Sequence, residues 1–134
     1  HPIVLMTSRQ CLHQQVTGCE KDRMDDDCLP HCGKSASITN MKMEKFYIEK
    51  TNGNYHRIYN ETNFLNTAIV TDLPDLYAGF LVDLSDLKTE TKTEINKPGV
   101  IKLFENLLSG DPGSEKELRQ VIHPTTDNQY YKGI

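Results

Sequence analysis

Four cysteines are the residues of this chain whose type and spacing could most readily do chemistry. They all lie in the first quarter of the 134 residues, at Cys11, Cys19, Cys28 and Cys32. An even number of cysteines on one irregular segment is typical of a disulfide framework in a protein exported to an oxidising compartment. We therefore predict two disulfides, and the sequence leaves the three possible pairings open.

Histidines among the cysteines suggest a second chemistry, the binding of zinc. His13 and His31 each lie between two cysteines, and Zn²⁺ takes four cysteine or histidine ligands. The spacing lacks the paired Cys-x-x-Cys motifs of structural zinc sites, so we predict disulfides and no metal. The nearby run Asp25-Asp26-Asp27 lacks the alternating spacing of a calcium loop, and we interpret it as a solvated acidic loop.

Two further groups could support catalysis, but each has a simpler explanation. His1 could chelate copper through its amine and imidazole, but no partner histidine is identifiable. Glu49 and His56 could form an acid–base pair on a hairpin, but no serine or cysteine nucleophile stands at a recognisable turn beside them. We predict no catalytic residue and no cofactor, and we keep a metal-dependent secreted enzyme that uses His1 as an alternative.

A hairpin over residues 46–59 is the element that must position the central residues. Asn52-Gly53 lies between two runs of aromatic and β-branched residues, which is the sequence pattern of a type I′ turn. If these two residues form the turn, counting outward sets the register. The predicted pairs are Thr51 with Asn54, Glu49 with His56, Tyr47 with Ile58 and Phe46 with Tyr59.

Strands and helices are predicted to follow the hairpin in that order. Apolar and β-branched residues predict strands over residues 64–71 and 76–84, and alternating threonine and charge predict an edge strand over residues 88–95. Two amphipathic helices then close the sequence. The first runs from the N-cap Asn96 to Gly110, and the second runs from a capping box at Ser114 to the residue before Pro124.

These elements predict one α+β domain over residues 1–134. Its parts are a disulfide-linked irregular arm at 7–36, an antiparallel meander of about five strands at 37–95, and two C-terminal helices at 96–123 that cover the sheet. A small closed β-barrel with the helices outside is the alternative. The sequence leaves open whether the second face of the sheet points to solvent or lines an interior.

Charge and composition restrict the location and the partners. A net charge of −4 without a basic cluster argues against nucleic acid. The only apolar run near the start, residues 3–6, is too short to span a membrane. A start at His1 rather than Met, the predicted disulfides and the sequon Asn60-Glu61-Thr62 predict a secreted glycoprotein with Asn60 as the glycosylation site.

The predicted function is binding to another extracellular protein, without catalysis. Tyrosine and arginine are enriched at interface hot spots, so the predicted contact residues are the four that the hairpin carries: Tyr47, Tyr55, Arg57 and Tyr59. An extracellular carrier that holds a small hydrophobic ligand in a β cup is the alternative.

Overall fold

A computed structural model describes residues 1–21, 23–32, 34–51, 53, 55–73 and 76–133, with the side chains of Leu29 and Pro30 left out. The chain divides into two compact units, residues 2–61 and residues 62–134 together with His1. The first unit is a sheet with two short helices, and the second contains the long helices. The single domain over residues 1–134 stays a prediction.

The first unit is built on a four-stranded antiparallel sheet. Its strands are β1 (Val4–Ser8), β2 (Ala36–Thr39), β3 (Lys45–Thr51) and β4 (Tyr55–Asn60), in the order β1-β4-β3-β2. Aromatic and β-branched residues suit a pleated, buried surface, and they fill the two central strands. The large apolar side chains buried there are Tyr47, Ile48, Ile58 and Tyr59.

The hairpin of β3 and β4 forms, but its predicted register is wrong by one residue. The observed pairs are Thr51 with Tyr55, Glu49 with Arg57, Tyr47 with Tyr59 and Phe46 with Asn60. The connection is therefore three residues long, 52–54, where we predicted a turn of two. Gly53 has a left-handed φ of +79°, and a three-residue loop with one left-handed residue is another common hairpin connection. Asn52 and Asn54 lie outside the described residues, so the predicted type I′ turn also lies outside them.

The predicted continuation of the meander beyond β4 is wrong. Among the described residues between 61 and 96, only β5 (Asn63–Phe64) and β6 (Lys92–Thr93) are strands, and one helical turn forms α3 (Ile69–Asp72). Residues 76–91 contain no helix or strand. The alternating apolar residues of 76–84 predicted a strand, and so did the alternating threonine and charge of 88–95, but a strand also needs a neighbour for its backbone N–H and C=O groups. The fourth strand of the sheet is instead β1, which pairs with β4.

The alternative of a closed β-barrel is wrong as well. Within the four described strands, β1 pairs only with β4 and β2 pairs only with β3. The sheet is therefore open, with β1 and β2 as its two edges.

The predicted disulfide-linked arm is also wrong. The thiols of Cys11, Cys19, Cys28 and Cys32 are all free. Two short helices order this segment instead, α1 (Leu12–Thr17) and α2 (Cys28–His31). The first ends at Gly18, whose φ of +64° makes it a left-handed C-cap that glycine adopts without strain. Contacts between α1 and the sheet take the place of the predicted cross-links.

The second unit contains three further helices and two further strands. They are α4 (Lys97–Leu108), α5 (Ser114–Val121), β7 (Ile122–His123), β8 (Thr125–Thr126) and α6 (Asn128–Lys132). β5 pairs in parallel with β8, and β6 pairs antiparallel with β7. The predicted pair of C-terminal helices is wrong in number, because α6 follows α4 and α5 and three short helices precede them.

Helix α4 begins as its sequence predicts and α5 does not. The Asn96 side chain accepts a hydrogen bond from the Gly99 N–H at 2.9 Å. Gly113, not Ser114, is the N-cap of α5, and the Ser114 hydroxyl donates to the Asp111 carboxylate. Aliphatic side chains from the two helices and β7 form the core: Val100, Leu103, Leu107, Leu118 and Ile122.

Candidate functional site

A pair of buried histidines is the main polar feature of the first unit. His13 lies on α1 and His56 on β4, with exposed fractions of 2% and 0%. Their ring centroids are 4.8 Å apart in an edge-to-face arrangement. The Leu12 N–H donates a hydrogen bond of 2.9 Å to His56 Nδ1. The pair therefore attaches α1 to the sheet by one ring contact and one hydrogen bond.

Both imidazole rings are neutral at pH 7. Burial, followed by the neighbouring His13 and Lys50, lowers the pKa of His56 to about 4. Burial and then Lys50 also lower the pKa of His13. Because His56 Nδ1 accepts a hydrogen bond, its single proton is assigned to Nε2.

Within the described part of the chain, three nitrogens of this pair lack a hydrogen-bond partner: His13 Nδ1, His13 Nε2 and His56 Nε2. The carbonyls of Ile48 and Lys34 lie near the His13 ring and act to raise its pKa, but neither has hydrogen-bonding geometry to a ring nitrogen. An unpartnered buried polar group destabilises a fold by about 1–3 kcal/mol. The pair therefore lowers the stability of the fold even though it attaches α1 to the sheet.

Lys50 connects the histidine pair to helix α2, which carries Cys28 and has Cys32 as its C-cap. It lies on β3, opposite His56 in the register of the hairpin. Its ammonium group donates to the carbonyl of Cys28 at 3.3 Å and to the carbonyl of Cys32. The single-turn helix α2 is thus held by a cation at its carbonyls, which favour positive charge.

The cysteines lie at or next to the ends of α1 and α2. Cys11 is the N-cap of α1 and Cys19 follows its C-cap, while Cys28 begins α2 and Cys32 is its C-cap. A hydrogen bond from the Lys34 N–H, and then the Lys50 side chain, lower the pKa of the Cys32 thiol. Among the described residues, no three His, Cys, Asp or Glu side chains are placed to hold a metal ion.

Cys28 has a different environment from Cys32. Its side chain is buried, and its thiol donates to Asp25 Oδ1 at 3.2 Å. Lys21 binds both oxygens of the same carboxylate, at 2.7 and 2.9 Å. Within the acidic run that we interpreted as a solvated loop, Asp25 is therefore engaged by Lys21 and Cys28.

The four predicted contact residues of the hairpin share one face of the sheet but differ in exposure. Tyr47 and Tyr59 pair across the strands with ring centroids 6.2 Å apart, and both are buried. Burial, then Glu49 and Tyr47, raise the pKa of Tyr59 to about 12. Their burial gives these two tyrosines a packing role, and a contact role for them stays a prediction.

The other two predicted contact residues are accessible. Tyr55 is half-buried and Arg57 is exposed. The Arg9 guanidinium lies 5.4 Å from the centroid of the Tyr55 ring and donates to its hydroxyl at 3.0 Å. Arg57 faces Glu49. Burial raises the pKa of Glu49, and the positive charge of Arg57 offsets only part of this rise. Glu49 and His56 do not pair, because the observed register places them on opposite faces.

The turn between β2 and β3 carries a feature that the sequence did not predict. Residues 40–44 are joined by five hydrogen bonds that all involve Asn40 and end on Lys42, Met43 or Glu44. The Asn40 side chain makes three of them, including one of 2.6 Å to Glu44 Oε2. Met41 and Met43 project from this turn with exposed fractions of 102% and 81%.

Two further predicted sites lie apart from these features. The His1 Nε2 atom is 3.8 Å from Asp83 Oδ2. Asn60, the predicted glycosylation site, is the last residue of β4, pairs with Phe46 and is half-buried. Glycosylation of Asn60 and metal chemistry at His1 stay predictions.

Sequence reasoning considered the individual histidines and missed the pair. His13 was weighed as a zinc ligand and His56 as a general base, because burial depends on contacts between residues far apart in the chain. One residue in the sequence could have indicated the ordered turn at residues 40–44. Asn40 is a residue type whose side chain often hydrogen-bonds to the backbone two residues further on.

None of the helices in the described part of the chain combines the length and apolar character that would let it cross a membrane. Comparison with known proteins finds no matching family model, no significantly similar curated protein and no significantly similar solved structure.

Proposed function

We propose that the protein binds another protein through the turn at residues 40–44, without catalysing a reaction. The observation that supports this proposal is the full exposure of Met41 together with the exposure of Met43 on the same turn. Single exposed apolar side chains are common on protein surfaces. Two long apolar side chains on one five-residue turn form a projection that a partner can enclose.

The turn is already ordered for binding. Asn40 fixes it through its backbone and its side chain, so little conformational freedom is left to lose when a partner binds. Met43 has a left-handed φ of 65°, which is unfavourable for any residue except glycine. A methionine kept in a conformation that suits glycine supports a role for its side chain.

The partner that fits is a protein with an apolar pocket. Methionine has an unbranched, polarizable side chain that adapts to irregular apolar surfaces. The net charge of −4 favours a protein over a membrane with anionic lipids. Tyr55 and Arg57 on β4, together with the neighbouring Arg9, form a second candidate contact.

The remaining parts of the predicted function differ in their support. Free thiols are typical of reducing compartments, so the predicted secretion loses the support of the disulfides. The carrier alternative required strands that curl into a cup, and the described strands form an open sheet. The enzyme alternative requires a metal on His1, whose Nε2 lies 3.8 Å from the Asp83 carboxylate.

Photo-crosslinking tests the proposal. The protein is produced with photo-methionine in place of methionine and irradiated in an extract of its source cells or their medium. We expect Met41 and Met43 to form crosslinks to one protein, several-fold more often than Met6, which is half-exposed on β1. Equal crosslinking from all three positions, or crosslinks to lipid alone, would contradict the proposal.

A matched pair of variants then measures the contribution of the turn to affinity. Met41→Ala with Met43→Gly removes both side chains, and glycine at position 43 relieves the unfavourable φ, so the fold should be kept. We expect affinity for the crosslinked protein to fall at least about tenfold, as for an interface hot spot. Met6→Ala is the control and should leave affinity unchanged.

A further inference from the structure

We propose that His13 and His56 form an acid-sensitive clasp, which holds α1 on the sheet while both rings are neutral and releases it when they are protonated. The inference is independent of the proposed partner-binding turn, because residues 40–44 take no part in the contact.

The geometry links protonation directly to the attachment of α1. His56 Nδ1 is the acceptor for the Leu12 N–H at 2.9 Å. A proton on Nδ1 would turn this acceptor into a donor that faces another donor. The hydrogen bond would then be lost, and the edge-to-face contact with His13 at 4.8 Å would join two cations. Both attachments between α1 and β4 therefore depend on neutral rings.

The charged side chains that act on the pair oppose its protonation, whereas the carbonyls of Ile48 and Lys34 act to raise the pKa of His13. Lys50 on β3 acts on both rings, and Lys34, just before β2, acts on His13. On β1, the neighbour of His56 is the uncharged Ser8. Among the described residues, no carboxylate acts on either ring, and Glu49 on β3 points to the opposite face. A buried imidazolium would have no counter-charge here.

The direction of the pH effect follows from the lowered pKa values. In the released state the histidines have ordinary pKa values near 6.5, whereas in the attached state His56 has a pKa of about 4. The released state therefore binds protons first as the pH falls. Attachment is complete above about pH 6.5 and weakens progressively toward pH 4. From His56 alone, the equilibrium constant for release should rise about 20-fold between pH 7 and pH 5.

Hydrogen exchange measures this release on the whole chain. Protection factors, which correct for the intrinsic effect of pH on exchange, are determined at pH 7 and pH 5. We expect protection of amides in α1 to fall about 20-fold or more, while amides of β3 and β4 keep theirs. Constant protection of α1 between the two pH values would overturn the proposal, and so would an equal loss in the strands.

A double variant separates the histidines from other titrating groups. In His56→Asn the amide oxygen replaces Nδ1 as an acceptor, and in His13→Phe an apolar ring of similar size replaces the imidazole. We expect the fall in α1 protection to disappear in this variant and to persist in His123→Asn, which changes an exposed histidine on β7. A pH effect of unchanged size in the double variant would overturn the proposal.

A measurement on the unmodified protein keeps the test valid if the double variant does not fold. The imidazole Cε1 protons of His13 and His56 are followed by NMR from pH 8 to pH 4, together with the Leu12 amide. We expect both rings to begin titrating only as the Leu12 amide shifts. Rings that titrate near pH 6.5 without any change at Leu12 would overturn the proposal.

Discussion

The two units of this chain bury different kinds of side chain. The second unit has an aliphatic core on α4, α5 and β7, and no titratable group belongs to it. In the first unit, two neutral histidines are among the most buried residues, and two tyrosines on the other face of the sheet are buried as well. Stability of the second unit should therefore depend on packing, and stability of the first should depend also on protonation.

The two units also differ in how well their most buried polar groups are bonded. In the second unit, the Thr67 hydroxyl donates to Glu115 at 2.8 Å and accepts from Arg119 at 3.0 Å. Among the described residues, three imidazole nitrogens of the first unit have no partner, and three amide atoms of the second unit, on Asn63, Asn66 and Gln129, have none either. A partnered polar group is nearly neutral for stability, whereas an unpartnered one is destabilising. Unpartnered polar atoms therefore lower the stability of both units, and in the first unit they belong to two titratable rings.

The largest expected effect is a cavity in the aliphatic core. Leu118 on α5 is completely buried, so Leu118→Ala should lower the free energy of unfolding by about 3 kcal/mol, with the same loss at pH 7 and pH 5. Urea denaturation followed by far-UV circular dichroism measures it. Leu108→Ala on α4 is the control, because Leu108 is half-exposed. Equal losses in the two variants would show that α5 is not packed as described.

A smaller loss is expected in the hairpin of the first unit. Gly53 has φ +79°, and a Cβ atom there would lie 3.2 Å from the Tyr55 ring. Gly53→Val should therefore destabilise the protein by about 1–3 kcal/mol. Gly79→Val is the matched control, since a Cβ at Gly79 meets no atom within 4 Å. An unchanged melting temperature for Gly53→Val would contradict the left-handed conformation of this residue.

Replacing one buried histidine by an apolar residue should raise the stability of the first unit. His13→Phe removes two unpartnered nitrogens and keeps a ring in the same place, so we expect a gain of about 1 kcal/mol at pH 7. Thermal unfolding at pH 7 measures the gain, and His31→Phe at an exposed position should show none. A loss of stability in His13→Phe would indicate that the imidazole nitrogens have partners in solution.

The smallest expected effect is that of a reducing agent. Because all four thiols are free, dithiothreitol should leave the melting temperature unchanged. Ellman's reagent should detect four thiols per chain under denaturing conditions without prior reduction. Detection of none before reduction and four after it would show that the cysteines are paired after all.

Local signals in the sequence predicted the elements that need only local interactions. Asn96 and the apolar stripe after it indicate α4, because an N-cap bonds within its own first turn. The aromatic and β-branched runs around Gly53 likewise indicate a hairpin. Its register could not be predicted, because loops of two and three residues share the same Asn-Gly signal.

Features that depend on distant contacts were not predictable in this way. β1 is a strand only because β4 offers it a partner, whereas residues 76–84 have a strand-like pattern and no partner strand among the described residues. Cysteine spacing likewise does not report the distances between thiols. The histidine pair joins a helix and a strand far apart in the chain, and neither segment alone indicates it.

The order of the strands has a consequence for how the first unit assembles. β3 and β4 are joined by a short loop and can meet within microseconds, as hairpins do. β1 is synthesised first, but its partner β4 is the last strand of the sheet in the chain. We expect closure of the long loop between β1 and β4 to set the folding rate. During synthesis the leading strand would stay unpaired until residue 60 has left the ribosome. The first residues of this unit are therefore the last to gain their backbone hydrogen bonds.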